Sequence, residues 1–105
     1  MDTKDAYDPP LEELRKIIAP IAASYGVPKM YLFGSRVRGD NREDSDYDLC
    51  IDVPVTFDLF RIGALMYDLK DALKKDVDIV CEDDVFDLPE IKEAMLRDRR
   101  IIFEL

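Results

Sequence analysis

The sequence predicts an α/β (α+β) fold: a small mixed β-sheet with helices packed on one face. Three observations predict it. Residues 46–53 and 76–81 each alternate apolar with polar side chains, the period of a strand with one face in a core. Between them lies an amphipathic stretch long enough for a helix, so strand, helix and strand form a crossover unit whose two strands run parallel and adjacent. Ahead of them, Leu11, Leu14, Ile17, Ile18, Ile21 and Ala22 recur at helical spacing before a short apolar run, residues 30–33.

The elements follow in order. Asp8-Pro9-Pro10 reads as a helix start, with Asp8 as N-cap and proline at an early position. The helix runs to Tyr25, and Gly26 is its stop. Pro20 removes one backbone hydrogen bond and should kink this helix or divide it in two. Residues 30–33 form the first strand, and Gly34-Ser35 leaves it in a turn that can open a short helix. In the second strand, residues 46–53, Leu49, Ile51 and Val53 face the core while Asp48, Cys50 and Asp52 form an acidic face.

Thr56 is the expected cap of a long helix whose stripe is Leu59, Ile62, Met66, Leu69 and Leu73. Residues 76–81 form the third strand. With the apolar faces of both strands in one core, Asp78 or Asp76 lies on the same side as Asp46 and Asp48. Glu82-Asp83-Asp84 reads as a polar loop. Pro89 opens a last helix with Ile91, Ala94 and Met95 inward, and Arg97, Arg99 and Arg100 complement the dipole at its end. Ile101-Ile102-Phe103 closes the sheet as an edge strand. No internal repeat or linker divides residues 1–105, which are expected to form a single domain.

Composition excludes several chemistries. There is no histidine among the 105 residues, so Ser-His, Cys-His and His-metal mechanisms are out. The two cysteines, Cys50 and Cys81, match no zinc spacing and read as buried free thiols. A formal net charge of -9 argues against a broad phosphate-backbone surface and for a basic protein partner or a metal-nucleotide complex. No apolar run approaches a membrane span and the first residues are not a signal peptide, so a cytoplasmic protein is expected.

What remains for catalysis is carboxylate, hydroxyl, Lys or Arg, and metal. Asp46 and Asp48 stand two apart on a strand, so their side chains leave the same face about 7 Å apart. Like charges at that distance repel unless a cation lies between them. Facing them is the Gly34-Ser35 turn, suited to an anion, with Arg36, Arg38 and Arg42 as possible phosphate contacts or a solvated loop. Three strand carboxylates opposite an anion turn suit two-metal phosphoryl chemistry, in which carboxylates bridge the metals and the turn holds the phosphates.

Gly34-Ser35, the ten residues 36–45 and then Asp46-Tyr47-Asp48 reproduce a Gly-Ser-x10-Asp-x-Asp signature. With Leu32-Phe33, Arg38-Gly39 and Ser45-Asp46-Tyr47-Asp48-Leu49 beside it, the chain resembles the minimal nucleotidyltransferases of the DNA polymerase β-like superfamily. Asp78, in Val77-Asp78-Ile79-Val80, falls where that family carries its third carboxylate. Val37 stands where the family often has alanine.

The resemblance implies the polymerase β-like nucleotidyltransferase fold and a Mg2+-dependent transfer of AMP from ATP to a hydroxyl. By it, Asp46, Asp48 and Asp78 are the catalytic and metal-binding residues of a two-metal site, and Gly34, Ser35 and Arg38 bind the nucleotide. Asp76 remains an alternative to Asp78 from the alternation alone. The resemblance also implies a partner, since minimal nucleotidyltransferases commonly act as antitoxins of HEPN-domain ribonuclease toxins, some by attaching AMP to a toxin tyrosine. Two other readings stand beside this one: an inactive antitoxin that neutralises its toxin by binding, and a transferase acting on a small-molecule hydroxyl. Direct nucleic-acid binding is not expected, and assembly with copies of itself or with the partner is left open.

Overall fold

In the computed structural model, which describes residues 9–42, 44–54, 56–85 and 88–105, four strands form one mixed sheet in the order β3-β2-β1-β4. The elements are α1 (Leu11–Ser24), β1 (Lys29–Phe33), α2 (Ser35–Arg38), β2 (Tyr47–Asp52), α3 (Leu59–Leu73), β3 (Val77–Cys81), α4 (Glu82–Val85), α5 (Pro89–Asp98) and β4 (Arg100–Glu104). β1 lies antiparallel to both β2 and β4, whereas β2 and β3 are parallel, as a helical crossover through α3 requires.

The strand alternation divides the sheet into two faces. One receives the long helices: Leu14, Ile18 and Ala22 of α1 and Leu65, Leu69 and Leu73 of α3 pack with Met30, Leu32, Tyr47, Leu49, Ile51, Val77 and Ile102. Each large aliphatic side chain removed from water there contributes roughly 1.5–3 kcal/mol. The opposite face carries a smaller cluster, Tyr31, Phe33, Cys50 and Met95, where α5 covers the β1 side of the sheet. Asp48, two along from Cys50, and Asp78, which pairs with Asp48, therefore stand at the end of this second face.

Several local expectations change. α1 continues as one helix through Pro20, which sits on its exposed side; the expected cap Asp8 lies outside the described residues. α3 is capped by Asp58 rather than Thr56, because the Asp58 carboxylate accepts from the Phe60 N–H at 2.8 Å. Leu59, in the first turn of α3, points to solvent, and Leu65 takes the inward place instead. Residues 82–85 form the short helix α4 rather than a loop; three acidic residues at its start complement the positive end of its dipole.

Candidate active site

The turn after β1 depends on Gly34. Its φ of 83° lies in the left-handed region, and a Cβ there would run into Asp48 Oδ2 and stand 3.3 Å from Asp48 Cγ. Glycine thus lets the backbone approach the second strand's carboxylate as no other residue can. The Gly34 carbonyl accepts from Val37 N–H at 3.0 Å and Arg38 N–H at 3.2 Å, which winds residues 35–38 into α2. Ser35 is its first residue.

The loop between α2 and β2 is held by Arg36. Its Nε and Nη2 donate to the Ser45 carbonyl at 3.1 and 2.6 Å, and its guanidinium lies 4.2 Å from the centre of the buried Tyr47 ring. Arg36 is thus a strut that fixes the residue just before Asp46 rather than a solvated loop side chain.

The alternation brings Asp48 and Asp78 side by side. Asp48 pairs with Asp78 in the parallel register of β2 and β3, and Asp46 precedes β2 by one residue. Asp48 is half-buried, and its carboxyl is pushed above the ordinary range by desolvation, then by the charges of Asp78 and Asp46. Asp46 is more exposed and is also raised, first by lost hydration, then by the Asp78 and Asp76 charges, and, unlike Asp48, by a hydrogen bond with Asp78 as well. Asp76 instead reaches Lys70 at 3.4 Å, so of the two candidate third carboxylates it is Asp78 that stands with Asp48.

A cleft of about 600 Å3 opens over this arrangement. Gly34, Ser35, Arg38, Asp48 and Asp78 line its polar half, and Phe33, Ile79, Val80, Ile91 and Ala94 its apolar half, with Glu90 at the α5 side. Asp46 is not among the lining residues. Glu90 was invisible to spacing, because only the packing of α5 against the second sheet face brings it to the cleft. Asp98, buried at the end of α5, was equally invisible; it does not line the cleft itself, but its Oδ2 accepts from Arg38 Nη1 at 2.9 Å.

The side chains do not converge on one point: among the described residues, no three His, Cys, Asp or Glu side chains form a ready cage for a metal ion. Mutual repulsion of unneutralised carboxylates favours such spreading. The donor set itself fits a hard divalent cation such as Mg2+, since it is all carboxylate oxygen, and the carboxyls of Asp46 and Asp48 are raised first by lost hydration and then by the charge of Asp78. Cys50, by contrast, is buried and pushed up to about 12 by desolvation, and both cysteines are free, so neither thiol is placed for chemistry.

Comparison with known proteins gives a consistent picture. The polymerase beta nucleotidyltransferase family model matches residues 15–105. A protein of Methanocaldococcus jannaschii, provisionally named a protein adenylyltransferase, is 28% identical over 88 residues, which are 84% of this chain and 92% of that one. A solved structure provisionally named a minimal nucleotidyltransferase is 33% identical, with a TM-score of 0.70 over 86% of this chain and 93% of that one. The MNT antitoxin bound to a tri-AMPylated HEPN toxin of Shewanella oneidensis gives a TM-score of 0.68 over 91% of this chain and 74% of the matched one; at 18% identity that likeness is one of fold. No helix among the described residues is long and apolar enough to cross a membrane.

Proposed function

This chain belongs to the polymerase β nucleotidyltransferase family, and from that premise we propose that it transfers AMP from ATP to a hydroxyl, with Mg2+ bound at Asp46, Asp48 and Asp78. It is an enzyme of the nucleotidyltransferase type. The observation that carries the finer reading is that the Gly34-Ser35 turn and the Asp48-Asp78 pair line one cleft large enough for a nucleotide.

In this reading the Ser35 hydroxyl and backbone N–H hold a phosphate of the triphosphate, and Arg38 supplies positive charge at the rim. Gly34 keeps the backbone close to Asp48, so that phosphate and carboxylate stand on opposite sides of one small space. Asp46, Asp48 and Asp78 would hold the Mg2+, which would supply positive charge to offset that of the triphosphate and to favour loss of the acceptor's proton. Asp78 takes the proton of the acceptor hydroxyl. The freed oxygen attacks the α-phosphorus, the bond from that phosphorus to the bridging oxygen breaks, and pyrophosphate leaves.

The acceptor is proposed to be a tyrosine hydroxyl of a HEPN ribonuclease toxin, for which this chain acts as antitoxin. The likeness to the antitoxin bound to an AMPylated HEPN toxin supports that choice, as does the relative named for protein adenylylation. A net charge of -9 suits a basic nuclease partner. The test uses ATP labelled at either the α- or the γ-phosphate, incubated with this chain, Mg2+ and the co-purified partner. Label entering the partner from the α-position alone supports adenylyl transfer. Label from the γ-position, or none from either, counts against it.

A further inference from the structure

Asp98 is the last residue of α5 and the one charged side chain that is buried among the described residues. Its position is unfavourable by itself, because a helix C-terminus carries partial negative charge and a buried carboxylate needs cations around it. Arg97 supplies one, through Nε at 3.0 Å from Oδ1 and Nη2 at 3.3 Å from Oδ2. A neighbour of that kind would suffice for charge balance. Yet Arg38, sixty residues away in sequence, also reaches Oδ2, through Nη1 at 2.9 Å.

Arg38 is otherwise half in solvent at the cleft rim, and its Nε lies 3.2 Å from Asp40 Oδ2. With Nε on Asp40 and Nη1 on Asp98, the plane of the guanidinium is fixed from two sides. Of these two carboxylates, Asp40 is exposed and Asp98 is buried, so Asp98 is the rigid anchor. An arginine held in this way loses less freedom when it meets a phosphate oxygen than one waving in solvent.

We propose that Asp98 is a positioning residue that holds the Arg38 guanidinium at the mouth of the cleft, ready for the β- or γ-phosphate of a nucleoside triphosphate. This rests on the reading of the cleft as a triphosphate site. The competing role is a plain staple between α2 and α5, which would affect stability alone.

Titration calorimetry of the full chain with ATP and with AMP, at fixed Mg2+, separates the two. Asp98→Asn weakens ATP binding about tenfold while AMP changes by no more than about twofold. Asp98→Glu restores most of the ATP affinity. Arg38→Met reproduces the loss, and adding Asp98→Asn to it deepens the loss no further, because Asp98 acts through Arg38. An unchanged ratio of ATP to AMP affinity in a folded Asp98→Asn variant, with only its melting temperature lowered, overturns the proposal in favour of the staple. Tighter ATP binding in that variant overturns it too, since Asp98 would then compete with phosphate. Should the Asn variant fail to fold, the exposed Arg38→Met substitution decides: undiminished preference for ATP over AMP there overturns the proposal. If the wild type itself does not prefer ATP to AMP, the triphosphate reading falls first and this inference with it.

Discussion

Asp48 and Asp78 are direct neighbours in the parallel register of β2 and β3, about 4.8 Å apart across the sheet, and after lost hydration it is the charge of Asp78 that raises the Asp48 carboxyl most. Parallel pairing by itself does not require such an arrangement.

Replacing one of these charges tests their chemical role. Asp48→Asn is expected to lower transfer by about a hundredfold or more while leaving the fold intact, because Leu49 and Ile51, on the other face, still fill the core. Activity within a few-fold of wild type, in a variant with an unchanged far-UV spectrum, contradicts the assignment.

The same substitution should act on stability with the opposite sign. A carboxyl whose folded pKa is raised contributes stability below its unfolded pKa and loses it as pH rises through the folded value, so ionised Asp48 costs stability at neutral pH. Without metal, Asp48→Asn is therefore expected to melt higher than wild type. Mg2+ should raise the wild-type melting temperature, by about 1.4 kcal/mol of stabilisation at ten times its Kd, and raise that of Asp48→Asn much less. Equal responses to Mg2+ in the two proteins would sink this reading.

Gly34→Ala combines two costs. It forces an L-residue to a φ of 83° and drives a methyl group into the Asp48 carboxylate. A loss of about 1–3 kcal/mol in denaturant unfolding is expected, together with loss of ATP binding. Gly39→Ala meets no atom within 4 Å and pays only for its positive φ, so it should retain ATP binding. Equal loss of binding in both variants would show that close approach to Asp48 is not what Gly34 provides.

Acid stability should report on Asp98. Its carboxyl is held below the usual range, first by the hydrogen bond from Arg97 and then by that from Arg38. The stability this gives is present above the unfolded carboxyl value and is lost as pH falls through the lower folded one. Unfolding free energies measured from pH 5 downward should fall less steeply in Asp98→Asn than in wild type. Identical slopes would mean that the carboxylate is not stabilised by its arginines.

Much of the site was legible in the sequence because it is local or nearly so. The alternation along β2 turns Asp48 away from the face of Leu49 and Ile51, and the crossover through α3 forces β3 beside β2, which brings Asp78 to Asp48, whereas Asp46 falls one residue before the strand. Gly34 was legible as a turn, but its contact with Asp48 was not, since that needs the antiparallel pairing of Phe33 with Asp48. Asp98 and Glu90 could not be read at all. Glu90 reaches the cleft, and Asp98 reaches Arg38 at its rim, only because Met95 packs on Tyr31, Phe33 and Cys50, and nothing in the spacing of α5 says where that helix docks. The cap of α3 was missed for a smaller reason: Thr56 and Asp58 are both good cap residues, and only the hydrogen bond to Phe60 N–H chooses between them.

The central claim is adenylyl transfer to a protein partner through Asp48. Its most direct test is intact-mass spectrometry of the co-expressed partner after incubation with ATP and Mg2+, with wild type and Asp48→Asn in parallel. The account predicts a gain of one or more adenylate units on the partner, placed on a tyrosine by peptide mapping and absent with Asp48→Asn. A partner whose mass does not change while a stable complex forms would contradict it and leave an antitoxin that acts by binding alone.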